Sequence, residues 1–345
     1  MPSSVVEKGA AGFEGITLLL CENPLPPLPA AIEAAERELP RSNHYTEPFS
    51  APLRAALAER LDVSERLVHV NAGSELILRQ LFARLGQQVH LLTPTYGLFP
   101  EIAGAYTETR LLAEEHFAYD LSRLTVPEET TLVVIVNPNN PNGGTFDMEP
   151  LPALLAQHPQ IWFLVDEAFI DLGGSSVAPL VPEHDNLVVT RTFSKAQSLA
   201  GFRIGYAVAP ERLVSELNAG NDAFPLARPS QAAAVATLEH EDEIALRISE
   251  LKAWTRELSR GFEELGISTH PTETYFFLAD FSPLSAAAVA DALGRHTILA
   301  KPLGDPVVGP GMLRVTTSMP DENRVVLAAM EEILASMGAF PPADS

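Results

Sequence analysis

Between residues 67 and 209, short apolar runs rich in valine, isoleucine and leucine recur, each followed by a turn signal and then by apolar residues at helical spacing. Runs without polar alternation suit strands covered on both faces, so the rhythm predicts an α/β unit whose mostly parallel, roughly seven-stranded sheet is covered by helices. The predicted strands are 67–70, 89–92, 109–112, 132–136, 162–165, 187–190 and 203–208. The pattern then changes to a long amphipathic helix, 244–266, with Ile244, Ile248, Leu251, Trp254, Leu258 and Phe262 three or four residues apart. Beyond it, 275–281, 312–316 and the helix 322–337 predict a smaller α+β domain. Ahead of the sheet, Cys21-Glu22-Asn23-Pro24-Leu25-Pro26-Pro27-Leu28-Pro29 is too proline-rich for long regular structure and reads as an arm. The expected organisation is therefore an arm and part of a small domain over 1–40, a large domain over 41–243, and a linking helix with the rest of the small domain over 244–345.

A net charge of −22 argues against a nucleic-acid footprint, because phosphate-backbone binding needs clustered cations. Any anionic ligand must be held by a few aimed donors. Cys21 is the sole cysteine, which excludes an intrachain disulfide and a cysteine-based metal cluster and fits a reducing compartment. No metal is expected. The apolar stretch 16–21 is too short to span a bilayer and no signal-peptide pattern precedes it, so a cytoplasmic protein off the membrane is expected.

Three polar segments stand just past the carboxyl ends of predicted strands: Asn137-Pro138-Asn139-Asn140-Pro141, Asp166-Glu167-Ala168 and Ser194-Lys195. In open α/β sheets ligands bind there, so the three are expected to share one crevice. Lysine is scarce, with only Lys8, Lys195, Lys252 and Lys301. Lys252 reads as a solvated charge on the long helix and Lys8 as part of a frayed terminus, whereas Lys195 follows a strand beside hydroxyl groups. An amine whose pKa is depressed by burial and nearby positive charge is a carbonyl-reactive nucleophile. Thr192, Ser194 and Arg203 supply phosphate donors around it, and Gly73-Ser74-Glu75 opens a helix whose N-terminus, through the backbone of Ser74 and Glu75, suits an anion; the Glu75 carboxylate is expected to turn outward. Asp166 ends an apolar strand, where a carboxylate is costly unless it caps a helix or faces a cation. Asn140 is either a turn former or a donor to a ligand hydroxyl, and Tyr96 either a core aromatic or a plate for a flat ring.

With these segments stand Gly201-Phe202-Arg203-Ile204-Gly205-Tyr206 and Leu313-Arg314-Val315-Thr316. In order and spacing the set resembles the class I/II aminotransferases of fold type I, with the histidinol-phosphate branch nearest, and the likeness runs from Glu22-Asn23-Pro24 to the last helix. The resemblance implies pyridoxal 5′-phosphate bound covalently by Lys195, which also moves protons. Asp166 would hold the pyridine nitrogen, Asn140 the ring hydroxyl and Tyr96 the ring face. Thr192, Ser194, Arg203 and the backbone at Ser74 and Glu75 would hold the phosphate. Arg314 would take the substrate's carboxylate or phosphate, with Asn23 beside the substrate. The segment His44-Tyr45-Thr46-Glu47-Pro48 resembles the one whose tyrosine reaches the neighbouring subunit's cofactor phosphate, so Tyr45 implies a homodimer with shared sites.

The expected reaction moves an amino group from an amino acid or amino-alcohol phosphate, histidinol phosphate or an aromatic amino acid, to 2-oxoglutarate, as part of amino-acid metabolism. Phe169 stands where that branch usually has tyrosine, and Phe169-Ile170-Asp171 also resembles threonine-phosphate decarboxylases. A cofactor-binding regulator without turnover is a remote third reading, since the acidic N-terminal stretch offers no basic helix-turn-helix.

Overall fold

The computed structural model describes residues 13–220, 222–303 and 308–338; Lys8 lies outside them. The chain divides into two compact units. The larger takes in Leu25–Asn140 and Gly144–Ile248; the smaller takes in the described residues up to Pro24, Pro141–Gly143, and those from Ser249 onward.

In the larger unit a seven-stranded sheet runs in the order Val68–Asn71, Gly205–Val208, Leu187–Thr192, Trp162–Asp166, Leu132–Val136, Val89–Thr93, Tyr106–Arg110. Gly205–Val208 is antiparallel to both neighbours and the other pairs are parallel. Leu132–Val136 is buried at every position, as an all-apolar strand in a sheet covered on both faces must be. On one face, Ile77, Leu78, Leu81 and Phe82 of the helix Ser74–Leu85 pack with Leu213, Val214 and Leu217 of Glu211–Ala219 over Leu91, Val134, Leu164 and Val188.

The strand expected at 109–112 is corrected to Tyr106–Arg110. Its Tyr-Thr-Glu-Thr-Arg sequence carries no apolar run because it is an edge strand with mostly exposed side chains, while Leu111, 3% exposed, belongs to the turn behind it. The strand expected from residue 203 begins at Gly205. Arg203 instead closes the short turn Ala200–Phe202 with a left-handed backbone, φ 52°. The proline-rich arm also ends sooner than expected. Pro29 occupies the first turn of a helix, Pro29–Glu38, where a missing N–H and a fixed φ are tolerated. That helix belongs to the larger unit, where Ala31, Ala34 and Ala35 are buried and Glu38 accepts a 2.7 Å bond from Arg228.

The smaller unit holds a four-stranded antiparallel sheet in the order Lys301–Pro302, Met312–Thr316, Phe276–Asp280, Ser268–Thr269. Phe277, Ala279, Leu313 and Val315 pack beneath Val289 and Leu293 of Ala286–Arg295 and Val326, Met330 and Ile333 of Pro320–Met337. The long helix is Glu241–Glu264, and the division between the units falls within it. Lys252 is only 28% exposed there and pairs with Glu273 at 2.7 Å, so it is not the freely solvated charge expected. Among the described residues no helix is long and apolar enough to cross a membrane.

Candidate active site

Asp166 is the last residue of its strand and is 3% exposed. It caps no helix. Its Oδ1 accepts the Ala168 N–H and the Thr190 hydroxyl, each at 3.2 Å, and Oδ2 accepts nothing among the described residues. Burial pushes its pKa up to about 7 against the pull of those two bonds, the neighbouring Glu167 charge raises it further, and the Lys195 charge lowers it. A carboxylate in this condition is completed by a cation.

Lys195 lies three residues past the strand Leu187–Thr192, half-buried, with Nζ 5.3 Å from the centre of the Phe169 ring. Its segment is folded back on itself, the Ser198 N–H donating to the Lys195 carbonyl at 3.1 Å and the Leu199 N–H to the Phe193 carbonyl at 2.9 Å. Thr192 Oγ1 accepts the Ser194 N–H at 3.1 Å and lies 2.9 Å from Ser194 Oγ, so two hydroxyls stand together.

The helix Ser74–Leu85 offers its unbonded first-turn N–H groups beside them. Gly73, at φ 89°, leads into it, and a Cβ there would lie 2.6 Å from Arg203 Nη2, so the guanidinium rests against the glycine. Gly205 admits the backbone of Gly73 and Ser74 so closely that any Cβ would collide with the Ser74 N–H. The Glu75 carboxylate turns away to bond Arg79 at 2.8 Å on the surface. Gly205→Ala is expected to push the helix start off the strand and to weaken phosphate-mediated cofactor binding by about tenfold, checked by the cofactor dissociation constant from absorbance titration.

Two further turns are tied to these strands. The Asn137 N–H donates to the Asp166 carbonyl at 2.9 Å, and Asn139 Nδ2 donates to the Pro94 carbonyl at 2.9 Å. The second bond joins the turn of Asn140, itself 8% exposed, to the turn carrying Tyr96, whose ring is 36% exposed and meets Phe99 edge-on. The larger unit thus gathers Asp166, Lys195, Thr192, Ser194, Arg203, Ser74, Asn140 and Tyr96 at the carboxyl ends of its parallel strands and the adjoining helix start. Tyr45, in the same unit, is 78% exposed and stacked on Phe224 at 4.5 Å.

Arg314 and the half-buried Asn23 belong to the smaller unit. Arg314 is 5% exposed, its guanidinium donates to the Leu19 carbonyl, and it lies over the Phe276 ring at 5.7 Å. Directly opposite it in the antiparallel pair is Lys301, a residue that the sequence reading left without a role. Burial, then the Arg314 charge, holds the Lys301 pKa below its ordinary value, while Cys21 raises it. The signal for it was there: one of four lysines, placed in a short strand.

Residues 15–330 match the family described as aminotransferase class I and II. The chain is 31% identical over 323 residues, 91% of each chain, to histidinol-phosphate aminotransferase 1 of Bradyrhizobium diazoefficiens. Among solved structures it is similar to the histidinol-phosphate aminotransferase of Sinorhizobium meliloti in complex with pyridoxal-5′-phosphate, with TM-score 0.82, 23% identity and coverage of 97% of this chain and 98% of that one. It is similar too to the L-threonine-O-3-phosphate decarboxylase of Porphyromonas gingivalis, with TM-score 0.81, 22% identity and coverage of 93% and 99%. The family match, with the fold, defines a pyridoxal-phosphate-dependent transaminase. The chain belongs to the aminotransferase class I and II family.

The residues present fit that cofactor on their own chemistry. Asp166 would answer a protonated ring nitrogen; the first-turn N–H groups, two hydroxyls and Arg203 would make an anion cradle in a chain of net charge −22; and Lys195 would offer an amine to an aldehyde.

Proposed function

We propose that this transaminase takes its amino group from histidinol phosphate and delivers it to 2-oxoglutarate, acting in the cytoplasm as a homodimer in which Tyr45 reaches the other subunit's cofactor phosphate. The observation that carries the donor is the Arg314–Lys301 pair, two cations on facing positions of neighbouring strands. One guanidinium suffices for a carboxylate, whereas a phosphate dianion gains from a second charge. The names of the relatives, about 31% identical along nearly the whole chain, support the same donor. The exposed Tyr45 ring supports the dimer.

When bound, the cofactor supplies an aldehyde for exchange of amino groups and an electron-withdrawing ring that stabilises negative charge at the substrate α-carbon. Asp166 keeps a proton at the ring nitrogen, since its buried carboxylate gains most from a cation there. Lys195 Nζ takes the proton from the α-carbon as general base. Asn140 orients the ring through its hydroxyl, Tyr96 covers a ring face, and Thr192, Ser194, Arg203, Ser74 and Glu75 N–H groups hold the phosphate. Arg314 and Lys301 bind the substrate anion, with Asn23 beside it.

Phe169 favours one other reading, decarboxylation, because it removes a hydroxyl expected next to the ring. A donor panel of histidinol phosphate, aromatic and aliphatic amino acids and threonine phosphate, each with and without 2-oxoglutarate, separates the two. Glutamate formation fastest with histidinol phosphate is the expected result; carbon dioxide release without any keto acid overturns it. Lys301→Met is expected to raise KM for histidinol phosphate by roughly tenfold, the scale of one charge-assisted bond, while leaving KM for an aromatic amino acid within about twofold. Steady-state kinetics with both donors checks this.

A further inference from the structure

Behind the residues that meet the cofactor lies a polar network that the reaction does not use. Side chains alternate across a sheet, so Asp166 and Thr190 face one side, and Glu167 and Arg191 the other. There Arg191 Nε donates to Glu167 Oε2 at 2.8 Å, with 6% and 0% side-chain exposure for the two. Ser176 Oγ donates to the same carboxylate at 2.8 Å and accepts from Arg191 Nη2 at 2.6 Å, while the Val177 N–H donates to Glu167 Oε1 at 2.7 Å. Arg191 also bonds the Tyr206 hydroxyl, on the facing position of the next strand. A second tie runs between the same two segments: Gln197 Nε2 donates to Asp171 Oδ2 at 2.7 Å, and Arg60 holds Oδ1 of that carboxylate at 3.4 Å while also bonding Glu241.

The placement of these ties is the informative part. Arg191 and Gln197 stand four residues before and two after Lys195, and their partners Glu167 and Asp171 one and five residues after Asp166. The lysine is bracketed, and both brackets end on the segment that carries the aspartate. A buried ion pair is a poor source of stability, since apolar residues of similar shape serve as well, but its directional bonds fix one register between two strands. Phe169, between the two ties, is the ring over which Lys195 Nζ lies.

We propose that Glu167–Arg191 and Asp171–Gln197 are positioning residues that set where the Lys195 amine stands with respect to Asp166. The inference rests on the reading that Lys195 bonds the cofactor and Asp166 holds its ring nitrogen. The four act through those two residues.

The test uses Gln197→Leu, Asp171→Asn, the double variant D171N/Q197E, and Glu167→Gln, each as holoenzyme with circular dichroism and cofactor content measured. Asp171→Asn leaves two amide groups facing one another, whereas D171N/Q197E restores the bond with donor and acceptor exchanged. Gln197→Leu and Asp171→Asn are expected to move the pH at which the lysine-bound cofactor's absorption changes by about half a unit or more and to lower kcat by about tenfold, with KM for the amino donor within about twofold. D171N/Q197E is expected to return both to within about threefold of the parent, and Glu167→Gln to shift the same absorption titration. Native titration and kcat in Gln197→Leu and Glu167→Gln, or a double variant no better than the singles, overturns the proposal. If Glu167→Gln does not fold, the Asp171–Gln197 series decides alone. Cofactor still fixed covalently to the protein by borohydride in Lys195→Ala, read by mass spectrometry, marks failure of the underlying cofactor reading, independently of these variants.

Discussion

Lys195→Ala is expected to fold, to lose the covalent protein–cofactor adduct that borohydride traps, and to lose at least about 10⁴-fold in turnover, the upper range for removing one general acid/base. On the proposed reading two functions end on the same atom. Lys195 Nζ would be both the covalent anchor and the base, so its removal should abolish covalent retention and proton movement together while leaving the proposed phosphate cradle in place. The variant should therefore still bind cofactor reversibly through Thr192, Ser194, Arg203 and the helix start at Ser74. Absorbance before and after borohydride, with mass spectrometry of the reduced protein, reads the anchor; single-turnover kinetics reads the base. A reducible adduct on another residue contradicts the assignment.

Asp166→Asn carries the second large effect, and it shows in two measurements of opposite sense. Turnover falls by roughly 10³-fold, because an amide of similar shape cannot stabilise positive charge at the ring nitrogen. The cofactor-free protein gains stability at neutral and higher pH. The sign follows from the buried carboxyl: the unfolded chain releases this proton near the ordinary 3.8, and the folded chain holds it to about 7. Between those values the native state binds the additional proton, so the Asp166 contribution to stability declines as pH rises through the window, by about 4 kcal/mol across it. Asparagine removes that decline. Chemical denaturation of the cofactor-free proteins across pH 4 to pH 8 checks it: the advantage of the variant should be full at pH 8, smaller at pH 5, and vanish toward pH 4. In the wild type, added cofactor should stabilise more at pH 8, where the carboxylate is charged and a cationic ring answers it.

Much of this was legible in the sequence because burial writes itself into composition. The inner strands read as apolar runs, as Leu132–Val136 does, since both of their faces are covered. The edge strand Tyr106–Arg110 was not legible at the right place, because one uncovered strand needs no apolar run, and Leu111 and Leu112 just behind it drew the expected start three residues late. The helix Pro29–Glu38 hid behind its prolines although Pro29 stands where a helix accepts one.

For the proposed site, Asp166, Lys195, Asn140 and Arg203 stood out as candidates because each stands at a strand end or a turn with a neighbour of fitting chemistry. Arg191, Glu167 and Lys301 were in view as letters but not as partners. Arg191 and Glu167 are 24 positions apart, and their meeting is fixed by strand order and register, which the sequence does not state. Lys301 acquires meaning only opposite Arg314 in an antiparallel pair, 13 residues further along.

The exposed edge strand has a consequence beyond its own misplacement. The outer rim of a sheet presents unused N–H and C=O groups, and any extended segment from another molecule is a candidate to fill them. Here that rim carries Glu108 and Arg110, and the Glu108 carboxylate takes the Thr93 hydroxyl at 2.6 Å. Two charged side chains on so short a strand disfavour edge-to-edge addition of another strand. The same polar letters that obscured the strand therefore work against fibre formation in a molecule whose other strands are apolar enough to promote it.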